Sequence, residues 1–94
     1  MARLKMVLLY GGQSGEHEVS LQSAASVLSA LNLAHYDVIS IGMDKQGCLY
    51  INDTDTLRRQ HTRALPVALP DAKRLPSLLV NGKLAVDADL VFPV

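Results

Sequence analysis

The sequence predicts an α/β domain built around a mostly parallel sheet, and three stretches carry that prediction. Residues 5–10 are predicted to form a strand, because the five residues after Lys5 form a continuous apolar run, which is typical of a strand buried on both faces of a sheet covered by helices. Residues 18–31 have the spacing of an amphipathic helix, and residues 36–44 form a second apolar run rich in β-branched side chains. Strand, helix and strand in succession predict a right-handed βαβ unit with parallel strands.

The helix is predicted from the spacing of its apolar side chains. These recur every three or four residues and so share one helix face: Leu21, Ala24, Ala25, Leu28 and Leu31, with Val27 beside them. Gly11 and Gly12 let the main chain turn between the first strand and the helix. Ser14 and Ser20 are candidate N-caps, and Asn32 is the predicted end of the helix.

The middle of the chain is less regular. A turn at residues 45–47 leads into a short strand at residues 48–51. Residues 53–63 are polar and fit either a short surface helix or a loop. Three prolines interrupt the middle segment, so the sequence assigns no regular structure to it: Pro66, Pro70 and Pro76.

The last part of the chain predicts a hairpin and one more strand. Asn81 and Gly82 lie between two apolar runs, which favours a hairpin with a type I′ turn. Residues 88–94 begin another apolar strand, and Pro93 is expected close to its end. The apolar terminus leads us to expect a domain cut from a larger protein.

Composition excludes several classes of function. Nine basic and nine acidic side chains balance in the 94 residues, so the chain has no electrostatic footprint for nucleic acid or an anionic membrane. Cys48 is the single cysteine, which rules out an internal disulfide and a multi-cysteine metal site. The apolar run at residues 6–10 is shorter than the about 7–15 residues of a signal peptide. We therefore expect a cytoplasmic location.

The glycines and carboxylates after the first strand are the candidate site. Gly11, Gly12 and Gly15 match neither nucleotide-binding glycine motif, so a tight turn is the favoured interpretation. Glu16 and Glu18 would repel phosphates, but at the carboxyl end of a strand they could accept hydrogen bonds from an ammonium group. The alternative is that they only complement the helix dipole. His17 and Cys48 are expected to be neither metal ligands nor nucleophiles.

The stretch GGQSGEHEVSLQSA (residues 11–24) resembles the N-terminal domain of D-alanine–D-alanine ligases. The segment YDVISIGMDKQG (residues 36–47) and the final DLVFPV match the same family at the expected separation. The resemblance implies a Rossmann-like, three-layer pre-ATP-grasp domain over residues 1–94. It also implies that the domain is incomplete, because the family continues past F-P into a His-Gly segment and a G-E-D-G motif.

The resemblance also implies a reaction and roles for two residues. The family forms D-Ala-D-Ala for peptidoglycan through an acyl phosphate, with ATP and Mg²⁺ bound by central and C-terminal domains. Glu16 matches the glutamate that binds the ammonium of the first D-alanine and anchors a hydrogen-bond chain to the central domain. Val19 matches a residue beside that substrate's methyl group. Glu18 and Ser20 are assigned to the helix start.

The resemblance sets further expectations for partners. The full-length enzyme is expected to be a homodimer that binds D-alanine and neither nucleic acid nor membrane. This chain by itself is expected to bind neither ATP nor Mg²⁺ and to be inactive alone. The alternative is a non-catalytic α/β module for binding or dimerisation.

Overall fold

A computed structural model describes residues 3–60 and 63–94 of the chain. Its elements are, in chain order, β1 (Leu4–Gly11), α1 (His17–Ala30), β2 (Tyr36–Met43), β3 (Leu49–Asn52), α2 (Thr54–Arg59), β4 (Lys73–Leu75), β5 (Leu79–Val80), β6 (Lys83–Leu84) and β7 (Leu90–Pro93). Within these described ranges, no helix is long and apolar enough to cross a bilayer. The sequence predicts that His61, in polar surroundings, is solvated, and this residue lies outside the described ranges.

The main sheet has the strand order β4-β3-β2-β1-β7. Strand β1 pairs in parallel with β2 on one side and with β7 on the other, whereas β3 is antiparallel to both of its neighbours. Four of these five strands therefore run in the same direction. The predicted βαβ unit and the mostly parallel sheet are both confirmed.

Both faces of β1 are covered, as its unbroken apolar run predicts. Met6, Leu8 and Tyr10 point to a face packed against α1 and α2, with Ala24 and Leu28 of α1 in the same cluster. Val7 and Leu9 point to the opposite face of the sheet, because successive side chains of a strand alternate in direction.

The second face of the sheet is covered by chain without helix. Val7, Ile41 and Leu49 are buried there, and residues 78–88, which contain the β5–β6 hairpin, pack against them. The domain thus has three layers: two helices, the sheet, and the hairpin segment. In the described residues the two helices, α1 and α2, share one face.

Several local predictions are confirmed by the structure. Asn81 (φ 51°) and Gly82 (φ 78°) both adopt positive φ, as a type I′ turn between β5 and β6 requires. Pro93 is the last residue of β7, where its missing N–H is tolerated. Of the polar residues 53–63, Thr54–Arg59 form the short helix α2, whose N-cap Asp53 accepts a hydrogen bond from the Thr56 N–H, and residues 61 and 62 lie outside the described ranges.

The proline-rich middle segment contains one regular element that the sequence does not predict. Strand β4 lies between Pro70 and Pro76 and pairs with β3 at the edge of the sheet. The sequence left this segment unassigned, and a strand is possible here because the prolines flank the three paired residues and do not interrupt them. Cys48, just before β3, is half-buried, and its Sγ accepts a hydrogen bond from Arg74 at 3.1 Å.

A buried polar network fixes the loop that follows α2 to the sheet. The Asn52 amide, in a residue only 3% exposed, donates to the Tyr10 hydroxyl at 3.0 Å and to the Val67 carbonyl at 2.9 Å. Its Oδ1 accepts the Leu69 N–H at 2.7 Å, and the Tyr10 hydroxyl donates to the Pro66 carbonyl at 2.8 Å. Burial raises the pKa of the Tyr10 phenol, against a smaller opposing effect of the Asn52 hydrogen bond.

Gly42 of β2 lets this loop lie against the sheet. A Cβ at this position would come within 2.2 Å of the Val67 carbonyl oxygen. The loop therefore contacts the bare main chain of β2 while Asn52 satisfies its polar groups.

We expect Asn52→Ala to lower the free energy of unfolding by about 2–3 kcal/mol, because it leaves buried main-chain groups of the loop without partners. Urea unfolding followed by circular dichroism measures the change. Asn32→Ala is the matched control, since Asn32 is exposed and its Oδ1 accepts one bond, from the Ala34 N–H. Equal losses in the two variants would contradict a stabilising role for the network.

Candidate functional site

The candidate site lies at the edge of the sheet where β1, β2 and β7 end. From β1 the chain crosses through α1 to β2 on one side, and it returns later as β7 on the other side. The strand order therefore reverses between β1 and β7, and open α/β sheets bind ligands at such a switch point. A small cavity of about 190 Å³ opens there, lined by Leu9, Tyr10, Gly11, Met43, Pro93 and Val94.

A larger cavity, of about 530 Å³, lies at the opposite edge of the sheet, beside the amino end of β2. Its lining mixes Arg3 and Lys73 with the carboxylates Asp37, Asp53, Asp55 and Asp71. In the part of the chain that the structure describes, no three histidine, cysteine or acidic side chains come together as metal ligands. We place the candidate site at the edge of the sheet with the smaller cavity, because Gly11 of the sequence motif lines that cavity and the rest of the motif follows it in the chain.

Two glycines form the turn between β1 and α1. Gly11 (φ +83°) and Gly12 (φ +117°) both adopt backbone conformations that disfavour other residues. A Cβ on Gly11 would lie 2.3 Å from the Met43 carbonyl oxygen at the end of β2, and the Gly12 N–H donates to that same oxygen at 2.9 Å. The interpretation of these glycines as a tight turn is confirmed.

The amide groups of this turn are already occupied. The Gly11 N–H donates to the Ser20 hydroxyl at 2.9 Å, and the Gly12 N–H donates to Met43. A phosphate-binding loop needs such groups free to face the ligand, and the carboxylates of Glu16 and Glu18 beside them would repel phosphate oxygens. The Gly11 and Gly12 amides are therefore not arranged as those of a phosphate-binding loop.

Helix α1 starts one residue after Glu16, which occupies the N-cap position without a side-chain capping bond. The expected serine N-caps are wrong. Ser14 Oγ accepts the Glu16 N–H at 3.2 Å, outside the helix. Ser20 lies inside the helix and faces the sheet: it accepts from Gly11 and donates to the Val94 carbonyl at 2.7 Å. Ser20 therefore joins the ends of β1 and β7 and does not cap the helix.

The two carboxylates at the helix start differ in their partners. Both side chains are exposed, but Glu18 Oε1 lies 3.8 Å from Lys45 Nζ, whereas the Glu16 carboxylate makes no hydrogen bond or ion pair within residues 3–60 and 63–94. Val19, which is 55% exposed, lies in the first turn of α1, three residues after Glu16 in the sequence. The helix start thus presents an exposed apolar side chain close in sequence to the Glu16 carboxylate.

The second motif segment lies directly beside the first. The Asp44 carboxylate accepts the N–H groups of Gln46 and Cys48, both at 2.9 Å, and closes the turn after β2. The Cys48 bond is the largest cause that lowers the Asp44 pKa. Gly47 (φ +89°) then lies against the Gln13 side chain. The structure therefore brings the two motif segments, distant in sequence, into contact with each other.

His17, the first residue of α1, is buried, with 7% of its surface exposed. Its Nδ1 lies 2.6 Å from the Gly12 carbonyl oxygen. Sequence reasoning missed the contacts of both His17 and Ser20. Helical spacing could have indicated their burial. Ser20 lies four residues before Ala24, and His17 lies three residues before Ser20, so both are on the buried face of the helix.

Comparisons with known proteins bear on this site. The family model described as D-ala D-ala ligase N-terminus matches residues 5–94. The D-alanine–D-alanine ligase of Legionella pneumophila (strain Corby) is 52% identical over 91 residues, which are 97% of this chain and 25% of that protein. D-alanine–D-alanine ligase A of Bradyrhizobium diazoefficiens is 48% identical over 104 residues, which are 98% of this chain and 28% of that protein.

A solved structure has the same fold. The VanG D-Ala:D-Ser ligase from Enterococcus faecalis superposes with a TM-score of 0.62 at 25% sequence identity, covering 98% of this chain and 29% of that one. The chain thus spans between a quarter and a third of the length of the proteins it matches.

We expect Gly11→Ala to lower the free energy of unfolding by more than about 2 kcal/mol, because it combines positive φ with a clash against Met43. Gly15→Ala is the matched control: no atom lies within 4 Å of its added Cβ, so the free energy of unfolding should stay within about 1 kcal/mol of the parent value. Urea unfolding measures both, and a mild effect at Gly11 would contradict the close approach of β1 and β2.

Proposed function

Because the chain belongs to the family of D-alanine–D-alanine ligase N-terminal domains, we propose that it forms the wall of a ligase active site that binds the first D-alanine. In this proposal the Glu16 carboxylate accepts hydrogen bonds from the substrate ammonium group, which makes Glu16 the catalytic residue of this chain. Val19 contacts the substrate methyl group.

One observation carries the proposal: Glu16 is exposed beside the switch point and its carboxylate has no partner within the described residues. A carboxylate and an ammonium group form hydrogen bonds of about 2.7–2.9 Å that are roughly twice as strong as neutral ones. Glu18, its neighbour, lies within ion-pair distance of Lys45. The difference favours Glu16 over Glu18 as the acceptor.

We propose the remaining properties for the whole enzyme. Residues 1–94 are its N-terminal substrate-binding domain, and central and C-terminal ATP-grasp domains supply the groups that hold ATP and Mg²⁺. The enzyme is a cytoplasmic homodimer, it works through an acyl phosphate, and its product enters peptidoglycan synthesis. In this proposal the present chain contributes the binding of D-alanine, and the other two domains contribute the groups for phosphoryl transfer.

A chimera tests whether the chain serves a ligase. Residues 1–94 replace the matching N-terminal quarter of the Legionella pneumophila ligase, with which they share 52% identity. The expected result is formation of D-Ala-D-Ala that depends on both ATP and D-alanine. A chimera that folds, as judged by its circular dichroism and thermal unfolding, but forms no dipeptide would contradict the proposal and favour a non-catalytic module.

In that chimera we expect Glu16→Gln to raise the KM for D-alanine at the first site by about tenfold or more, because a neutral amide loses the charge-assisted bond to the ammonium group. The KM for ATP should stay within about twofold. Glu18→Gln is the matched control, since it removes the same charge from the same helix turn. If the two variants have the same KM for D-alanine, Glu16 does not have the role proposed.

A further inference from the structure

His17 connects the first turn of α1 to the glycine turn before it. The Gly12 carbonyl oxygen can only accept a hydrogen bond, so the Nδ1 atom of His17, 2.6 Å away, carries the proton. The imidazole is therefore held in one tautomer and one orientation, in a residue that is more than nine-tenths buried.

The groups around Glu16 are fixed from several directions. Gly12 is tied to the end of β2 through Met43, and His17, the residue after Glu16, is tied to Gly12. The Glu16 N–H donates to Ser14 Oγ, and its carbonyl accepts the Ser20 N–H at 2.9 Å. The main chain of Glu16 is thus restrained while its carboxylate stays exposed.

We propose that His17 is a positioning residue for the Glu16 carboxylate. Its hydrogen bond to the Gly12 carbonyl sets where the helix starts relative to the sheet edge, and thereby where the carboxylate meets the ammonium group. This inference rests on the proposed function of Glu16. Displacing a binding group by about 1 Å can weaken a reaction strongly, so a bond that fixes the helix start affects substrate binding as well as stability.

Three substitutions in the ligase chimera separate the hydrogen bond from simple packing. In His17→Asn the amide nitrogen takes the place of Nδ1 and can still donate to Gly12. In His17→Gln the donor lies one bond further out, where Nε2 was, and His17→Leu has no donor. We expect His17→Asn to keep the KM for D-alanine within about twofold, and the other two to raise it about five- to tenfold, the size of one lost hydrogen bond.

The KM for ATP provides the readout that separates positioning from general damage. It should stay within about twofold in all three variants, because His17 acts only on the D-alanine wall. Equal KM values for D-alanine in the Asn, Gln and Leu variants would overturn the proposal. If His17→Leu does not fold, the comparison of His17→Asn with His17→Gln still decides, since both keep a polar side chain.

A double-mutant cycle with Glu16→Gln tests whether His17 acts through Glu16. If it does, His17→Gln should raise the KM for D-alanine in the parent chimera and change it less than twofold in the Glu16→Gln background. Fully additive effects would overturn the positioning role. No change in KM for Glu16→Gln alone would overturn the proposed function itself, so the two failures are distinguishable.

Discussion

The close approach of two main chains, the end of β1 and the end of β2, is the constraint on which the rest of this structure depends. The Gly12 N–H donates to the Met43 carbonyl, and a side chain on Gly11 would overlap that same oxygen. Because the turn is tight, the first turn of α1 lies close enough for Ser20 to reach the Gly11 N–H and for His17 to reach the Gly12 carbonyl. The helix start is thereby attached to the sheet edge at two successive residues.

The strand that carries this turn is also held from within the domain. Tyr10, the residue before Gly11, places its hydroxyl in the network that Asn52 organises with the loop of residues 65–69. The buried polar groups of this network all have partners, and such fully satisfied networks give a core a unique arrangement. Tyr10, in this network, and Glu16, with its exposed carboxylate, are thus only six residues apart in the sequence. A well-supported main chain close to a charged group suits a site that must hold a small charged substrate in a fixed orientation.

The parts of the fold that were predictable are those that depend on local patterns. Apolar periodicity indicated α1, unbroken apolar runs indicated the two parallel strands, and Asn81-Gly82 indicated the hairpin turn. Strand β4 was missed because it forms only through long-range pairing with β3. In the sequence it lies between two prolines, which argue against regular structure. The burial of Asn52 was missed for a similar reason. It depends on the loop that covers this polar side chain, and the position of that loop is not a local property of the sequence.

Prediction of the site shows the same division. Physical reasoning on the sequence left two interpretations of Glu16 and Glu18 open, and the family resemblance chose Glu16. The structure adds a difference that the sequence could not contain: Glu18 faces Lys45 across the motif segments, and Glu16 does not.

The measurement that tests the account most directly is a crystal structure of the ligase chimera with D-alanine bound. The account predicts a Glu16 carboxylate oxygen about 2.7–2.9 Å from the substrate nitrogen, and an ammonium group held by other residues, with Glu16 out of hydrogen-bond reach, would contradict it.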